Sequence, residues 1–291
     1  MTAREAITGA TLQLEAVSPP DGTAQRDALL LLLHTLNITR AQFYAEPNRP
    51  LTPAEQSSFT HSIQRRVAQE PIQYITGHQE FYGLDLLVTP AVLIPRPETE
   101  HLVEAVLAEL DPAKPLRILD IGTGSGAIAI ALAHHLPQAH ITAVDLSPVA
   151  LEIAAANAAR HHLTHRIRFL ESDLVPGSSA QTAFTREARR EQYEVLISNP
   201  PYIPTIDRDA LHPQVRDHEP STALFAGPDG LDIYRRLVPQ AFDALKPNGL
   251  LALEIGHGQR DAIAALLANW HSVRFVDDLQ HIPRVALARK P

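Results

Sequence analysis

The chain has 291 residues, 45% hydrophobic and 20% charged, an ordinary globular composition with material for about two domains. Lys and Arg number 25 against 33 Asp and Glu, a formal net charge of −8, which argues against a protein that tracks nucleic-acid phosphates. There is no cysteine, so disulfide frameworks, thiolate zinc sites and cysteine nucleophiles are excluded.

The opening Met1-Thr2-Ala3-Arg4-Glu5 lacks the basic stretch and apolar block of a secretory leader. The longest apolar run, Ala28 to Leu33, is far short of the ~20 residues a membrane span needs. A soluble cytoplasmic protein is expected. Ala3 to Val17 reads as a helix with Ile7, Leu12 and Leu14 on one face, stopped by Ser18-Pro19-Pro20-Asp21-Gly22. Arg26 to Leu36 is a strongly apolar helix with Asn37 as its exit. Thr52-Pro53-Ala54-Glu55 is a helix start, with a capping Thr, Pro in the first turn and Glu three residues after the cap; the helix is expected to reach about Gln69. Residues 1–75 are therefore expected to form a small helical domain. Tyr74 to Leu93 changes character, and its aromatic and aliphatic residues around Gly77 and Gly83 predict a β-hairpin linker over 76–94.

From 95 to 291 the pattern is that of a third region. A helix is predicted from Glu98 to Leu110, and strands and helices then alternate from Leu116 onward. Strands fit 117–121, 140–146, 167–172, 194–198, 250–255, 273–277 and 284–289; helices fit 127–135, 148–162, 230–245 and 260–270. Alternation of this kind predicts an α/β fold with a mostly parallel sheet covered on both faces. The last two strands have no helix between them and are expected to pair antiparallel. Gly177 to Gln192, polar and rich in Ser and Arg, reads as a surface loop.

Two loops bear the chemistry. The first strand of this region runs into Gly122-Thr123-Gly124-Ser125-Gly126, where glycines permit a tight turn and close approach of a ligand beyond the strand's carboxyl end. Asp145 ends the next strand, placed to accept hydrogen bonds from both hydroxyls of a ribose; the alternative is a helix cap ahead of Ser147-Pro148. The spacing G-x-G-x-G differs from the G-x-G-x-x-G of dinucleotide enzymes, and no Walker pattern follows. A nucleoside ligand without pyrophosphate fits better, and S-adenosylmethionine is the obvious one. The second loop, Asn199-Pro200-Pro201-Tyr202, follows the apolar strand Val195-Leu196-Ile197. Two prolines stiffen the turn, so an Asn carbonyl and a proline carbonyl grip the two hydrogens of a planar NH₂ while Tyr202 offers a flat surface. Such bonds strengthen as positive charge develops on the nitrogen. A plain Asn-Pro turn is the alternative.

Together these elements resemble the class I S-adenosylmethionine-dependent methyltransferases, which have a Rossmann-like seven-stranded sheet with an antiparallel last strand. Gly77-His78-Gln79-Glu80-Phe81-Tyr82-Gly83 and Leu93-Ile94-Pro95-Arg96-Pro97-Glu98-Thr99-Glu100 further resemble the signature of the HemK/PrmC family. That resemblance spans essentially the whole chain. It implies a protein-(glutamine-N5) methyltransferase that modifies the Gly-Gly-Gln glutamine of peptide chain release factors and so supports translation termination. It also implies that Gly122 to Gly126 and Asp145 hold the cofactor and that Asn199, Pro200, Pro201 and Tyr202 are catalytic and bind substrate, with Asn199 also bordering the cofactor. Residues 1–75 would dock the release factor, and Pro95 to Glu100 would border the substrate pocket. Family members commonly pack an aromatic residue on the adenine, at a position held here by Leu174. No metal, no direct nucleic-acid partner, no membrane partner and a monomer are expected. The competing readings are an N6-adenine or exocyclic-guanine methyltransferase of DNA or RNA, and a catalytically silent S-adenosylmethionine-binding scaffold.

The remaining residues with chemical potential read as structural. His134-His135 and His161-His162 lie at polar helix ends without a ligand partner at metal spacing. Arg65-Arg66 and Arg189-Arg190 read as solvated faces, and Phe59, Ile63 and Val67 as a core stripe.

Overall fold

The computed structural model describes residues 1–17, 23–176 and 192–291. The break at Ser18 to Gly22, the loop at 177–191 and Arg189-Arg190 lie outside the described residues. Two compact units emerge, Met1–His78 with His212–His218, and Gln79–Leu211 with Glu219–Pro291.

The first unit is helical: α1 (Ala3–Glu15), α2 (Thr23–Leu36), α3 (Arg40–Ala45), α4 (Pro53–Val67) and α5 (Ile72–Thr76). Three of these begin with the same device. Thr2, Thr39 and Thr52 each accept from the backbone three residues on, while Glu5, Gln42 and Glu55 reach back to the cap. α2 ends at Asn37, whose φ of +50° turns the chain out of the helix. Ala3, Ala6, Ile7, Ala10 and Leu14 make one buried stripe of α1, packed with Leu31 and Leu32 of α2 and Phe59 and Ile63 of α4. Tyr74 and Ile75 are buried in α5, which Gly77 closes in the left-handed conformation. The solvated reading of Arg65-Arg66 is also corrected. Arg66 is buried and its Nε donates to Asp27 Oδ2 at 2.9 Å, while Arg65 pairs with Glu70. A buried carboxylate across the bundle holds the guanidinium inside.

The second unit opens with β1 (His78–Phe81) and β2 (Leu84–Leu87), a two-stranded sheet turned by Tyr82-Gly83, both at positive φ. Phe81, Leu84 and Leu86 lie in the same core cluster as Leu102, Val103 and Val106 of α6 (Pro97–Leu107), so the hairpin is part of this unit's core. The main sheet comprises β3 (Leu116–Ile121), β4 (Ala139–Asp145), β5 (Ile167–Glu171), β6 (Tyr193–Ser198), β7 (Leu245–Glu254), β8 (His271–Asp277) and β9 (Pro283–Arg289). Its order is β5-β4-β3-β6-β7-β9-β8. β9 lies between β7 and β8 and runs antiparallel to both. Helices α7 (Ala127–His135), α8 (Pro148–Arg160), α10 (Asp232–Ala244) and α11 (Arg260–Leu266) complete the layers. The short α9 (Pro213–Arg216) belongs to the helical unit. Two apolar cores result, one containing α6 and α7 residues and one containing α10 and α11 residues. The fold is α/β with a seven-stranded mixed sheet, and an N-terminal helical region precedes it.

Candidate active site

Parallel pairing places the two sequence-predicted loops side by side. β3 is central, flanked by β4 and β6, and the register sets Ile121 opposite both Val144 and Ser198. The glycine loop, Asp145 and the Asn199 loop therefore leave neighbouring strands at the same edge of the sheet. Ser198 Oγ donates to the Ile121 carbonyl at 2.7 Å and ties the two exits together.

In the glycine loop, the Val144 carbonyl accepts from both Gly122 N and Thr123 N at 2.9 Å. Gly122 and Gly124 have φ of +71° and +55°, which side-chain-bearing residues rarely adopt, and a Cβ on either would face open space or only Asn199 O at 4.0 Å. Backbone with that clearance suits the close approach of a ligand. Gly126 differs, since its Cβ would press on Ile130 and Ala154 at 3.1–3.3 Å; it is glycine so that α7 and α8 pack closely. Asn157, buried on α8, donates to the Ser125 and Leu87 carbonyls at 2.9 Å and accepts from Leu87 N, so the loop is anchored to β2. Asp145 divides its oxygens: Oδ2 accepts from Gly124 N and Oδ1 from Ser147 N, both at 2.9 Å. The cap of α8 is Ser147, whose Oγ accepts from Ala150 N.

Asp120 adds a second carboxylate. It is fully buried, Oδ2 accepts from Thr123 Oγ1 at 2.6 Å, and Oδ1 has no partner. Burial, with a smaller contribution from the nearby Asp145 charge, pushes its carboxyl up to about 7. Two acids beside the loop make it suited to a cationic sulfonium cofactor and hostile to a pyrophosphate. On these grounds Gly122, Gly124, Asp145 and Asp120 fit S-adenosylmethionine.

The Asn199 loop is held by side chains from distant segments. Asn199 Nδ2 donates to Thr99 Oγ1 of α6 at 3.0 Å, which leaves Oδ1 as the amide's accepting atom. Tyr202 O–H donates to Glu254 Oε1 at 3.3 Å, and Gln259 Nε2 donates to the Tyr202 carbonyl at 3.0 Å. Gly230 is glycine because a Cβ there would lie 2.2 Å from the Tyr202 carbonyl oxygen. Burial raises the Tyr202 phenol far above its ordinary range, so it stays neutral. Nearby, Arg96 of the 93–100 segment pairs with Glu219 at 2.5 Å; burial pushes that carboxyl up while Arg96 opposes the shift.

Leu174 stands apart from the loops' polar groups. Its side chain is buried in the apolar core with Ile121 and Val144, and its φ is +66°. The residue after Asp145, Leu146, is instead exposed. Among the described residues no group of three or more His, Asp or Glu is arranged to hold a metal, and no helix is long and apolar enough to cross a membrane.

Residues 5–77 match the model of the PrmC N-terminal domain and residues 99–212 that of the methyltransferase small domain. A release factor glutamine methyltransferase of Koribacter versatilis is 46% identical over 292 residues, covering 100% of this chain and 99% of that protein. This chain belongs to the release factor glutamine methyltransferase family. A second member, from Moorella thermoacetica, is 46% identical over 91% of this chain and 89% of its own. Among solved structures, a Pyrococcus furiosus methyltransferase aligns at TM-score 0.52 and 18% identity, over 78% of this chain and 97% of that one. A T. thermophilus 16S rRNA N2 G1207 methyltransferase, bound to AdoMet and guanosine, aligns at 0.52 and 17% over 74% and 50%. These two share the fold with the family. The protein is accordingly an S-adenosylmethionine-dependent methyltransferase.

Asp120, Thr99, Glu254 and Gln259 escaped the sequence reading as site residues. Asp120 had a visible sign, an acid inside an otherwise apolar strand. Glu254 had the same sign in Leu250 to Ile255. Gln259 had none, since its role depends on where β7 ends relative to Tyr202.

Proposed function

We propose that this chain transfers a methyl group from S-adenosylmethionine to the side-chain amide nitrogen (N5) of the Gly-Gly-Gln glutamine in peptide chain release factors. The observation that carries this reading is the pairing of Ile121 with Ser198, which sets a nucleoside-type glycine loop beside an Asn-Pro-Pro-Tyr loop. When bound, the cofactor supplies an electrophilic methyl on a sulfonium. The chain's own residues do the rest. Asn199 Oδ1 and the Pro200 carbonyl accept the two hydrogens of the substrate NH₂, and Pro201 and Tyr202 hold the planar amide flat. As the nitrogen gains its new bond it becomes positive, and those two acceptors stabilise it before a proton leaves. Glycines 122 and 124, Thr123, Ser125, Gly126 and Asp145 would hold the cofactor, and Leu174 would offer its adenine an apolar contact.

The division into a docking domain (1–75), a hairpin (76–94) and a catalytic domain (95–291) is part of this proposal, as are a cytoplasmic setting and a monomeric state. The helical unit has a groove of about 470 Å³ lined by Arg4, Arg26, Arg40, Phe43 and Tyr44. Arg49, Arg65 and Arg66 of this unit are bonded to carboxylates, and among the described residues Arg26 lies 4.0 Å from Asp27, itself held by Arg66. A groove lined by guanidinium and aromatic side chains favours a carboxylate-bearing face of the release factor. Nucleic acid as the substrate is disfavoured by the net charge of −8. The experiment is methyl transfer from labelled cofactor to release factor, tRNA, rRNA and DNA side by side, with mass spectrometry locating the methyl. A single added methyl on glutamine is expected; label on nucleic acid alone would overturn the reading. Arg26→Glu with Arg40→Glu should raise KM for release factor and leave cofactor affinity unchanged.

A further inference from the structure

Proline carries no backbone N–H, so the Pro200-Pro201 step cannot be pinned by its own amides and must be held through groups on either side. On one side, Asn199 Nδ2 donates to Thr99 Oγ1 at 3.0 Å. On the other stands the Tyr202 carbonyl, which accepts from Gln259 Nε2 at 3.0 Å. We propose that Gln259 is a positioning residue: acting through the Tyr202 carbonyl, it fixes where the Pro200 carbonyl and the Tyr202 ring meet the substrate amide. This rests on the reading that the Asn199 loop grips that amide.

Gln259 stands at the N-terminus of α11, and its side-chain amide joins three backbone segments. Nε2 donates to the Tyr202 carbonyl and, at 3.3 Å, to the Gly230 carbonyl, while Oε1 accepts from Gly256 N at 2.9 Å. Both N–H groups of the amide and its oxygen are thereby used. The partners are two carbonyls at one end and an N–H at the other, and a backbone group cannot exchange donor for acceptor. The amide therefore has one orientation. An ionised carboxylate of the same shape is no substitute, because it would turn an oxygen toward two carbonyl oxygens.

The neighbouring glycines make room for this bridge. A Cβ on Gly256 would lie 2.9 Å from Gln259 Oε1 and 3.0 Å from Tyr202 Cδ2. One on Gly230 would lie 2.2 Å from the Tyr202 carbonyl oxygen and 2.9 Å from Gln259 Nε2. Tyr202 is thus seated against the Gly230 and Gly256 segments, with Gln259 spanning them. Just downstream, Ile203 N donates to the Leu224 carbonyl at 2.9 Å and Ala226 N to the Ile203 carbonyl at 3.0 Å, so the exit of the loop is fastened as well. The fixed φ of proline makes Pro200-Pro201-Tyr202 a stiff lever. A shift of the Tyr202 backbone is therefore passed on to the Pro200 carbonyl rather than absorbed between them.

The test is single-turnover methylation of intact release factor by the full-length protein at saturating cofactor, with calorimetry for the cofactor and steady-state KM for release factor. Gln259→Leu keeps the bulk and removes all three bonds; it should slow transfer ~10–100-fold through misplacement of the loop, with KM and cofactor affinity little changed. Gln259→Glu separates two roles. It keeps an acceptor for Gly256 N, which is all that support of α11 requires, but repels the Tyr202 and Gly230 carbonyls, so it should be at least as slow as the leucine variant. A glutamate variant near the wild-type rate beside a slow leucine variant would reduce Gln259 to a support of α11 and overturn the proposal. So would a leucine variant at full rate in a protein where Asn199→Ala is slow. Gly230→Ala displaces the same carbonyl, so combining it with Gln259→Leu should cost clearly less than the product of the two single losses; a full product would show that Gln259 acts elsewhere. Harmless Asn199→Ala would instead overturn the reading on which the tether rests. If Gln259→Leu does not fold, the glutamate variant decides alone, and transfer at full rate overturns the tether.

Discussion

The glycine loop and the Asn199 loop leave adjacent strands at the same level, yet they are built by opposite means. The first is a backbone object: its amides bond to Val144 and Asp145, residues of the neighbouring strand, and all three of its glycines have conformations that few other residues adopt. The second is a side-chain object. Its amide, carbonyl and phenol are held by Thr99, Gln259 and Glu254, which lie 100, 57 and 52 residues away in the chain. A loop that must only be the right shape is served by local sequence. One that must aim particular atoms needs partners from several elements. The expected consequence is a split phenotype, in which damage to the first loop weakens cofactor binding and damage to the second slows transfer.

The largest effect tests that split most directly. Asn199→Ala removes one preorganised acceptor and should cost ~10²–10³ in kcat, with cofactor affinity little changed. Asn199→Asp retains an acceptor oxygen and should keep more activity than alanine. Single-turnover kinetics and calorimetry on each variant make the comparison. Equal and full activity in both variants would reduce the Asn199 loop to a turn and collapse the contrast between the two loops.

Gly230→Ala probes the same loop from behind. A Cβ would lie 2.2 Å from the Tyr202 carbonyl oxygen, and the φ of +75° is strained for alanine. The backbone of Tyr202 must move, and a displacement of roughly 1 Å in a positioned group is worth about 10² in rate. The expected result is a kcat loss with unchanged cofactor affinity, in a protein still folded by circular dichroism. A loss confined to cofactor affinity would mean that the loops are mechanically one object.

The contrast also explains what could be read in advance. Each strand and long helix of the α/β unit announced itself through local pattern, and so did the three elements Gly122–Gly126, Asp145 and Asn199–Tyr202. The short helices were missed: α3 hides its capping box behind Gln42 in place of Glu, and α5 is too brief to show a period. Arg66 was misread because its partner Asp27 lies 39 positions earlier, and nothing local distinguishes a buried guanidinium from a solvated one. The same reason hid Thr99 and Glu254. Thr99 sat inside a quoted motif without a role, since its role is defined by what α6 meets across the sheet edge.

Asp145→Ala is the smallest of the three expected effects and addresses the backbone loop. Asp145 has two duties, accepting from Gly124 N and Ser147 N, and offering the remaining acceptor capacity of its carboxylate to a ribose. Removing it does not dissolve the loop, because Gly122 N and Thr123 N remain on the Val144 carbonyl and Asn157 still grips Ser125. What is lost is a charge-assisted contact to the ligand, ~1–3 kcal/mol of cofactor affinity, or roughly 5–150-fold in Kd. At saturating cofactor, kcat should recover most of its value, since no atom that touches the substrate has moved. Asp145→Asn sharpens the point by keeping a neutral acceptor for one of the two backbone amides while losing the charge. If the ribose contact dominates, the asparagine variant should bind cofactor nearly as weakly as the alanine variant; if loop support dominates, it should sit close to wild type. A kcat loss that persists at saturation in both variants would show that the cofactor loop also aims the reacting groups, and the division between the loops would fail from the glycine side.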